Sequence, residues 1–169
     1  IKQIPTADGP RVDGLNPGSV MIAFALLNSD VSFFVSESDD VVSHFIASHT
    51  GAKPTSVEMA DYIFTEGDAI NDLMVKAKKG NLSYPENSAT FIVDVEQMNS
   101  ILFEGALKVA LTGPGVEKEN VVYIRGMAPE ILTLMGLQNE EFPLGVDMMV
   151  VDEEGQIICI PRSSHVIVG

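Results

Sequence analysis

The spacing of apolar residues changes several times along the chain, and each change predicts an element. Ile1 to Pro5 is a short extended piece, followed by a loop rich in Gly, Pro and Asp (Asp8 to Gly14). Asn16-Pro17 reads as an N-cap with proline at the first helical position. Val20, Ala23, Phe24 and Leu27 then recur at helical spacing. Met21, Ile22, Ala25 and Leu26 make this helix apolar nearly all round, which predicts deep burial. It ends at Asn28-Ser29-Asp30, and Val31 to Val35 is a strand of β-branched and aromatic residues. Ser38 caps the next helix, with Asp39 and Asp40 placed to complement the positive end of its macrodipole. Its inner stripe is Val42, Phe45, Ile46 and His49, and Gly51 is its C-cap. Ala60 to Phe64 is a second strand. Asp68 to Lys78 reads as an amphipathic helix with Ile70, Leu73, Met74 and Ala77 inward and Gly80 behind it.

In the second half, Asn81 to Ser88 reads as a polar loop, and Thr90 to Val95 and Leu107 to Thr112 as strands. The turn Gly113-Pro114-Gly115 stops the latter, and Val121 to Ile124 is another short strand. Pro129 opens a helix whose inner residues are Ile131, Leu132 and Met135, with Gly136 near its end. The chain closes with Val146 to Val151, a turn at Asp152 to Gly155, Gln156 to Ile160, and a last extended segment, His165 to Val168. Strands interleaved with helices predict one α/β unit over residues 1–169: a sheet covered by helices on both faces and made mixed by the closing hairpin. Met148, Met149 and Ile158 look like an apolar excess in that hairpin, open to a partner interface.

Composition narrows the function. No apolar run reaches the roughly 18 residues of a membrane span, and the first residues lack the marks of a secretory signal, so a soluble protein is expected. A net charge of −14 argues against nucleic acid as a direct partner, because phosphate contacts need a basic face. The single cysteine, Cys159, excludes an internal disulfide, a Cys-rich zinc site or a cysteine-held iron–sulfur cluster within one chain. Its setting, Ile157-Ile158-Cys159-Ile160, reads as that of a small buried hydrophobe in a reducing cytoplasm.

The candidate chemistry lies near the end of the chain. Thr112-Gly113-Pro114-Gly115 follows a strand, as a phosphate loop would. It lacks the Gly-Lys-Ser/Thr of a Walker loop and the wider spacing of a dinucleotide fingerprint, and proline removes one N–H from any anion nest. It reads either as a structural turn or as a ligand-facing loop. His44, His49 and His165 include no metal-binding pair: His44 and His49 lie five apart, about 140° around one helix. In Ser163-Ser164-His165 a hydroxyl stands beside an imidazole, yet neighbours on a strand point to opposite faces, and no nucleophile elbow is present. On that geometry Arg162 and Ser164 share a face suited to an oxyanion, with an ordinary salt bridge as the alternative. A two-residue turn at Glu154-Gly155 would set Asp147 directly opposite Arg162, pairing a carboxylate otherwise oddly placed at the start of an apolar strand. The remaining carboxylates show no spacing that identifies an acid/base couple, and the catalytic residues stay unassigned.

Two runs carry a resemblance: Glu141-Phe142-Pro143-Leu144-Gly145-Val146-Asp147 and Ile160-Pro161-Arg162-Ser163-Ser164-His165-Val166. Together with Leu111-Thr112-Gly113-Pro114-Gly115-Val116 upstream, they resemble the signature of the PhnH family, subunits of the bacterial carbon–phosphorus lyase machinery. That family usually begins with an amphipathic helix carrying Phe-Arg and ending in Pro-Gly, a segment expected to be either missing or diverged here. The resemblance implies an α/β fold like that of pyridoxal-phosphate-dependent transferases without the cofactor. It further implies cytoplasmic use of alkylphosphonates, homodimers when isolated, and partnership with other subunits that couple a phosphonate to the ribose of ATP and displace adenine. A different, cysteine-bearing radical subunit would break the C–P bond. The alternative is a stand-alone enzyme whose phosphonate or ATP-derived ligand sits in a pocket around Gly113 to Gly115, with Arg125, Arg162 and Ser164 as ligand-binding residues.

Overall fold

Runs of consecutive buried residues decide the architecture. Ile63-Phe64-Thr65, Phe91-Ile92-Val93 and Val150-Val151-Asp152 each lie below a tenth exposed, so the strands that hold them need cover on both faces. The computed structural model describes residues 1–169 except 7–8, 37–39, 70, 115 and 117. In chain order the elements are β1 (Lys2–Gln3), α1 (Pro17–Leu26), β2 (Ser32–Val35), α2 (Asp40–Thr50), β3 (Lys53–Pro54), β4 (Tyr62–Glu66) and α3 (Asn71–Lys76). Then follow β5 (Lys79–Asn81), β6 (Tyr84–Ser88), β7 (Thr90–Val95), β8 (Gln97–Asn99), β9 (Leu107–Thr112), β10 (Asn120–Arg125) and α4 (Pro129–Gln138). The last strands are β11 (Asp147–Asp152), β12 (Gln156–Ile160) and β13 (His165–Val168).

The main sheet runs β1-β12-β11-β7-β4-β2-β3. The segment from β11 to β3 is parallel, while β12 and β1 add antiparallel strands at one side. The sheet is therefore mixed. On one face Ile22 and Ala23 of α1 and Val42 and Ile46 of α2 pack on Phe33, Phe64, Ile92 and Val151. On the other, Met74 of α3 and Ile131, Leu132 and Met135 of α4 pack with Ile63, Phe91, Val93, Met148 and Val150. A second sheet, β13-β9-β10-β8, closes this side with Val109, Leu111, Val122 and Ile124. Each fully buried Phe or Ile contributes roughly 1.5–3 kcal/mol by leaving water, so the five on β2, β4 and β7 (Phe33, Ile63, Phe64, Phe91 and Ile92) dominate the centre.

Several expectations need correction. The fold has two principal sheets where the sequence predicted one, because β13 leaves the hairpin and joins β9. α1 is only partly enclosed: Val20, Ile22 and Ala23 are buried, whereas Ala25 is exposed. Ser38 and Asp39, proposed to start α2, and Ile70 lie outside the described residues. His49 is exposed at the end of α2, where it stacks on Phe24 and meets the Phe45 ring at a tilt. α3 stops at Lys76, since Lys79 turns away to pair with Ser88. The predicted polar loop is in fact the hairpin β5–β6, closed by Asn81, whose Oδ1 accepts the N–H groups of Ser83 and Tyr84. Both of its strands are largely exposed, so no apolar alternation betrayed them.

The closing hairpin also differs in detail. Met148 opposes Ile160 and Val151 opposes Ile157, a register shifted by one residue from that of a two-residue turn. A three-residue loop ends in Gly155 at φ +81°, the left-handed position such loops place there. Asp152, fully buried, organises it: one oxygen accepts the N–H groups of Glu154 and Gln156, the other those of Met98 and the Gln156 amide. Met148 and Ile158 are core residues and Met149 packs beside α1 and α2, so they offer no free interface. Cys159, expected to be buried, is exposed. It alternates with inward Ile158 and Ile160, and its partly shielded thiol is pushed above the ordinary value by desolvation.

Candidate functional site

Two places on this scaffold have the shape and chemistry to act on a ligand or partner. The first is a cleft of about 570 Å³ lined by Pro114, Gly136, Phe142, Ser163, Ser164, His165 and Val166, with Arg162 at its base. It forms because β9 and β13 are neighbours, which brings the glycine turn against the Pro-Arg-Ser-Ser-His segment. At Gly113 the backbone has φ +139°, and an added Cβ would lie 3.0 Å from the Ser163 carbonyl oxygen and 3.2 Å from Ser164 Cα. The glycine is there for close approach.

Arg162 is the hub of this region. Its backbone N–H donates to Asp147 Oδ1 at 2.7 Å and its Nε at 3.2 Å, while Nη2 reaches Asp147 Oδ2. Nη1 donates to the carbonyls of Pro85 at 2.8 Å and Pro143 at 3.4 Å, and Nη2 also meets Ser88 Oγ at 2.5 Å. Thus all five guanidinium N–H groups have protein acceptors. The side chain ties β6, the cis Phe142–Pro143 loop and the start of β11 into one joint. An incoming anion would have to displace these bonds. Residues 161–164 form a turn in which Ser164 N–H donates to the Pro161 carbonyl, so strand alternation does not place Ser164 beside the guanidinium.

The sequence-predicted site residues fall into separate groups. Gly113, Arg162 and Ser164 meet at the cleft, and Gly115 lies outside the described residues. Arg125 is at the far end of β10, roughly 17 Å away by strand rise. There it pairs with Glu96 at 2.7 Å and lies over the Phe103 ring at 5.6 Å.

The second place escaped the sequence reading. At the carboxyl ends of β4 and β7, Glu66 and Asp94 line both a small cavity beside Ser36, Thr65 and Leu15 and a wider cleft of about 210 Å³ with Asn16, Asp68, Glu96 and Glu153. Open α/β sheets commonly bind ligands at this edge. Burial pushes the Asp94 carboxyl up to about 6, opposed by hydrogen bonds from Asn16 N–H and Ser19 Oγ and aided by the charge of Glu66. A carboxyl in that range can hold or release a proton near neutrality. Asn16, read as an N-cap, makes no side-chain cap: its amide donates to the carbonyls of Val95 and Val151 and so pins α1 to the sheet. The one signal in the sequence was a carboxylate inside an apolar strand, Phe91-Ile92-Val93-Asp94-Val95. Among the described residues no group of three or more His, Cys, Asp or Glu has a metal-holding arrangement. No helix is long and apolar enough to cross a membrane.

Comparison with known proteins adds identity to this geometry. The family model described as bacterial phosphonate metabolism protein (PhnH) matches residues 1–167. Over 161 residues the chain is 27% identical to a protein of Stutzerimonas stutzeri named as a C-P lyase subunit, HtxG, covering 93% of this chain and 75% of that one. Over 167 residues it is 28% identical to the alpha-D-ribose 1-methylphosphonate 5-triphosphate synthase subunit PhnH of Rhizobium meliloti, covering 97% and 80%.

Proposed function

The chain belongs to the PhnH family of bacterial phosphonate metabolism proteins, and from that premise we propose that it is a non-radical subunit of a carbon–phosphorus lyase system. In this reading it takes part, with the other subunits, in coupling an alkylphosphonate to the ribose of ATP with displacement of adenine. The relatives named as a C-P lyase subunit and as a synthase subunit support it. The observation that carries it is the wiring of Arg162. The guanidinium at the cleft is wholly engaged within the chain, so the cleft offers shape and surface while its charge serves to hold the fold. A subunit that completes its site against partners fits that arrangement. The reading includes a transferase-like fold used without pyridoxal phosphate, a cytoplasmic setting, and a homodimer when isolated.

A stand-alone phosphonate- or nucleotide-binding enzyme is the second reading, favoured by the volume of the cleft lined by Pro114, Phe142 and Arg162 to Val166. Co-expression with the neighbouring genes, purification through a tag on this chain, and assay for adenine release from ATP and methylphosphonate separate the two. Turnover is expected only in the assembled form. Turnover by the isolated chain would establish the second reading, and absorbance at a pyridoxal aldimine band would overturn the cofactor-free fold.

A further inference from the structure

The outer face of the second sheet, half-buried at Val121 and Tyr123 and met at one end by Phe103 against Arg125, has no helix or strand packed on it in the two hydrophobic clusters of the described residues. Register fixes which side chains point outward: Ile167 opposes Ala110, Ala110 opposes Val121, Lys108 opposes Tyr123, and Arg125 follows Tyr123 by two. None of these six residues belongs to either hydrophobic cluster, although the small Ala110 is shielded by its larger neighbours, whereas the inward Val109, Leu111, Val122 and Ile124 all do. Ile167 is 60% exposed. The loop joining β8 to β9 extends the apolar surface with Ile101 and Leu102, at 72% and 67%.

Charge sets this face apart. The four strands contain no Asp or Glu, although the chain carries 24 such residues and a net charge of −14. Lys108 is exposed on the face, and Arg125 stands at its end, held by Glu96. An apolar centre with an aromatic residue and one exposed cation, Lys108, with its carboxylates Glu96 and Glu104 kept to the edge, is the composition of a protein-binding patch. Strands of three, six, six and four residues at about 3.3 Å per residue and about 4.8 Å spacing give roughly 300 Å², somewhat over a third of what one partner buries in a standard interface. The face therefore supplies the centre and the 100–106 loop part of the rim.

We infer that this face, centred on Ile167, Val121 and Tyr123, docks a different protein subunit whose surface is apolar in the middle and carries carboxylates opposite Lys108. In a two-fold pairing of copies centred on this face, Lys108 would approach Lys108 of the other copy, Arg125 being held by Glu96, which disfavours a second copy as occupant. The inference rests on the subunit reading and names the surface that reading needs.

The test is co-purification of the other carbon–phosphorus lyase subunits with tagged wild type, Ile167→Asp, Lys108→Glu and, as a control, Met59→Asp, which alters an exposed apolar side chain elsewhere. Wild type and Met59→Asp are expected to assemble equally. Ile167→Asp should retain at least tenfold less partner, and the loss with Lys108→Glu should shrink as salt rises. Thermal melts show whether the variants remain folded. Assembly that survives both substitutions overturns the docking surface alone. No assembly by wild type overturns the subunit reading and the surface with it. A wild-type dimer that Ile167→Asp converts to monomer assigns the face to a second copy and overturns the choice of partner.

Discussion

Asp147 and Arg162 are joined by a two-point ion pair although the hairpin does not set them opposite one another. The register places Pro161 across from Asp147. Arg162 reaches its partner from the turn that follows β12, through its backbone N–H as well as its guanidinium. Replacing it with alanine strands the Asp147 carboxylate and leaves Ser88 and two carbonyls without their donor. Arg162→Ala should lose on the order of 3 kcal/mol of stability, read as a lower urea midpoint, and Arg162→Lys should recover little of it because lysine lacks the fork. An unchanged midpoint in Arg162→Ala would refute the joint.

Asp94 predicts an acid-side signature. Its carboxyl is raised from 3.8 to about 6, so the folded chain binds that proton more tightly than the unfolded chain does. Its contribution to stability is therefore greatest below the unfolded value and is lost as pH climbs through about 6. The difference is on the order of 3 kcal/mol. Asp94→Asn keeps an acceptor for Asn16 and a donor for Ser19. Urea midpoints at about pH 4.5 and 7 should converge in this variant relative to wild type, and an identical pH slope would contradict the assignment.

At Gly113 the sequence leaves a structural turn and a ligand loop both open. The contact with Ser163 and Ser164 makes the glycine necessary in either case. Gly113→Ala should cost about 1–3 kcal/mol through backbone strain and the displaced 161–164 turn. Thermal melting checks this, and a variant that melts with wild type would show that the turn yields freely.

Asp152 offers the sharpest loop test. Its four accepted hydrogen bonds join the hairpin loop to β8 in a fully buried setting. Asp152→Ala should lower stability by roughly 3 kcal/mol, since buried N–H groups are left without acceptors. Hydrogen exchange at Met98 and Gln156 should accelerate more than at Phe91, which uses none of these bonds. Uniform acceleration would mean that the loop holds nothing locally.

Much of the layout was legible because the central strands announce themselves. Thr90–Val95, Leu107–Thr112, Gln156–Ile160 and His165–Val168 have the bounds that their apolar runs predict. Apolar periodicity says which residues leave water, and burial of both faces follows from it. It does not say which strand lies beside which, and so the departure of β13 to a second sheet was hidden. The hairpin β5–β6 was hidden for the opposite reason, being too exposed to show any pattern. At the site, a two-residue turn paired Asp147 with Arg162 through a register the hairpin does not have, and the sequence could not reveal that Pro85 and Pro143 would take up the remaining donors. Asp94 acquires its environment from Asn16 and Ser19 at the start of α1, 78 and 75 residues away along the chain.

The order of strands in the main sheet has a consequence for how the chain is made. β7 lies between β4 and β11, and β11 is not translated until more than fifty residues after it. Throughout that interval the nascent chain on the ribosome carries Phe91-Ile92-Val93 with one edge unpaired, which is the kind of template that recruits stray strands. Slowed elongation between residues 96 and 146, or a stop codon within that stretch, should therefore feed chaperones and inclusion bodies before it affects any chemistry.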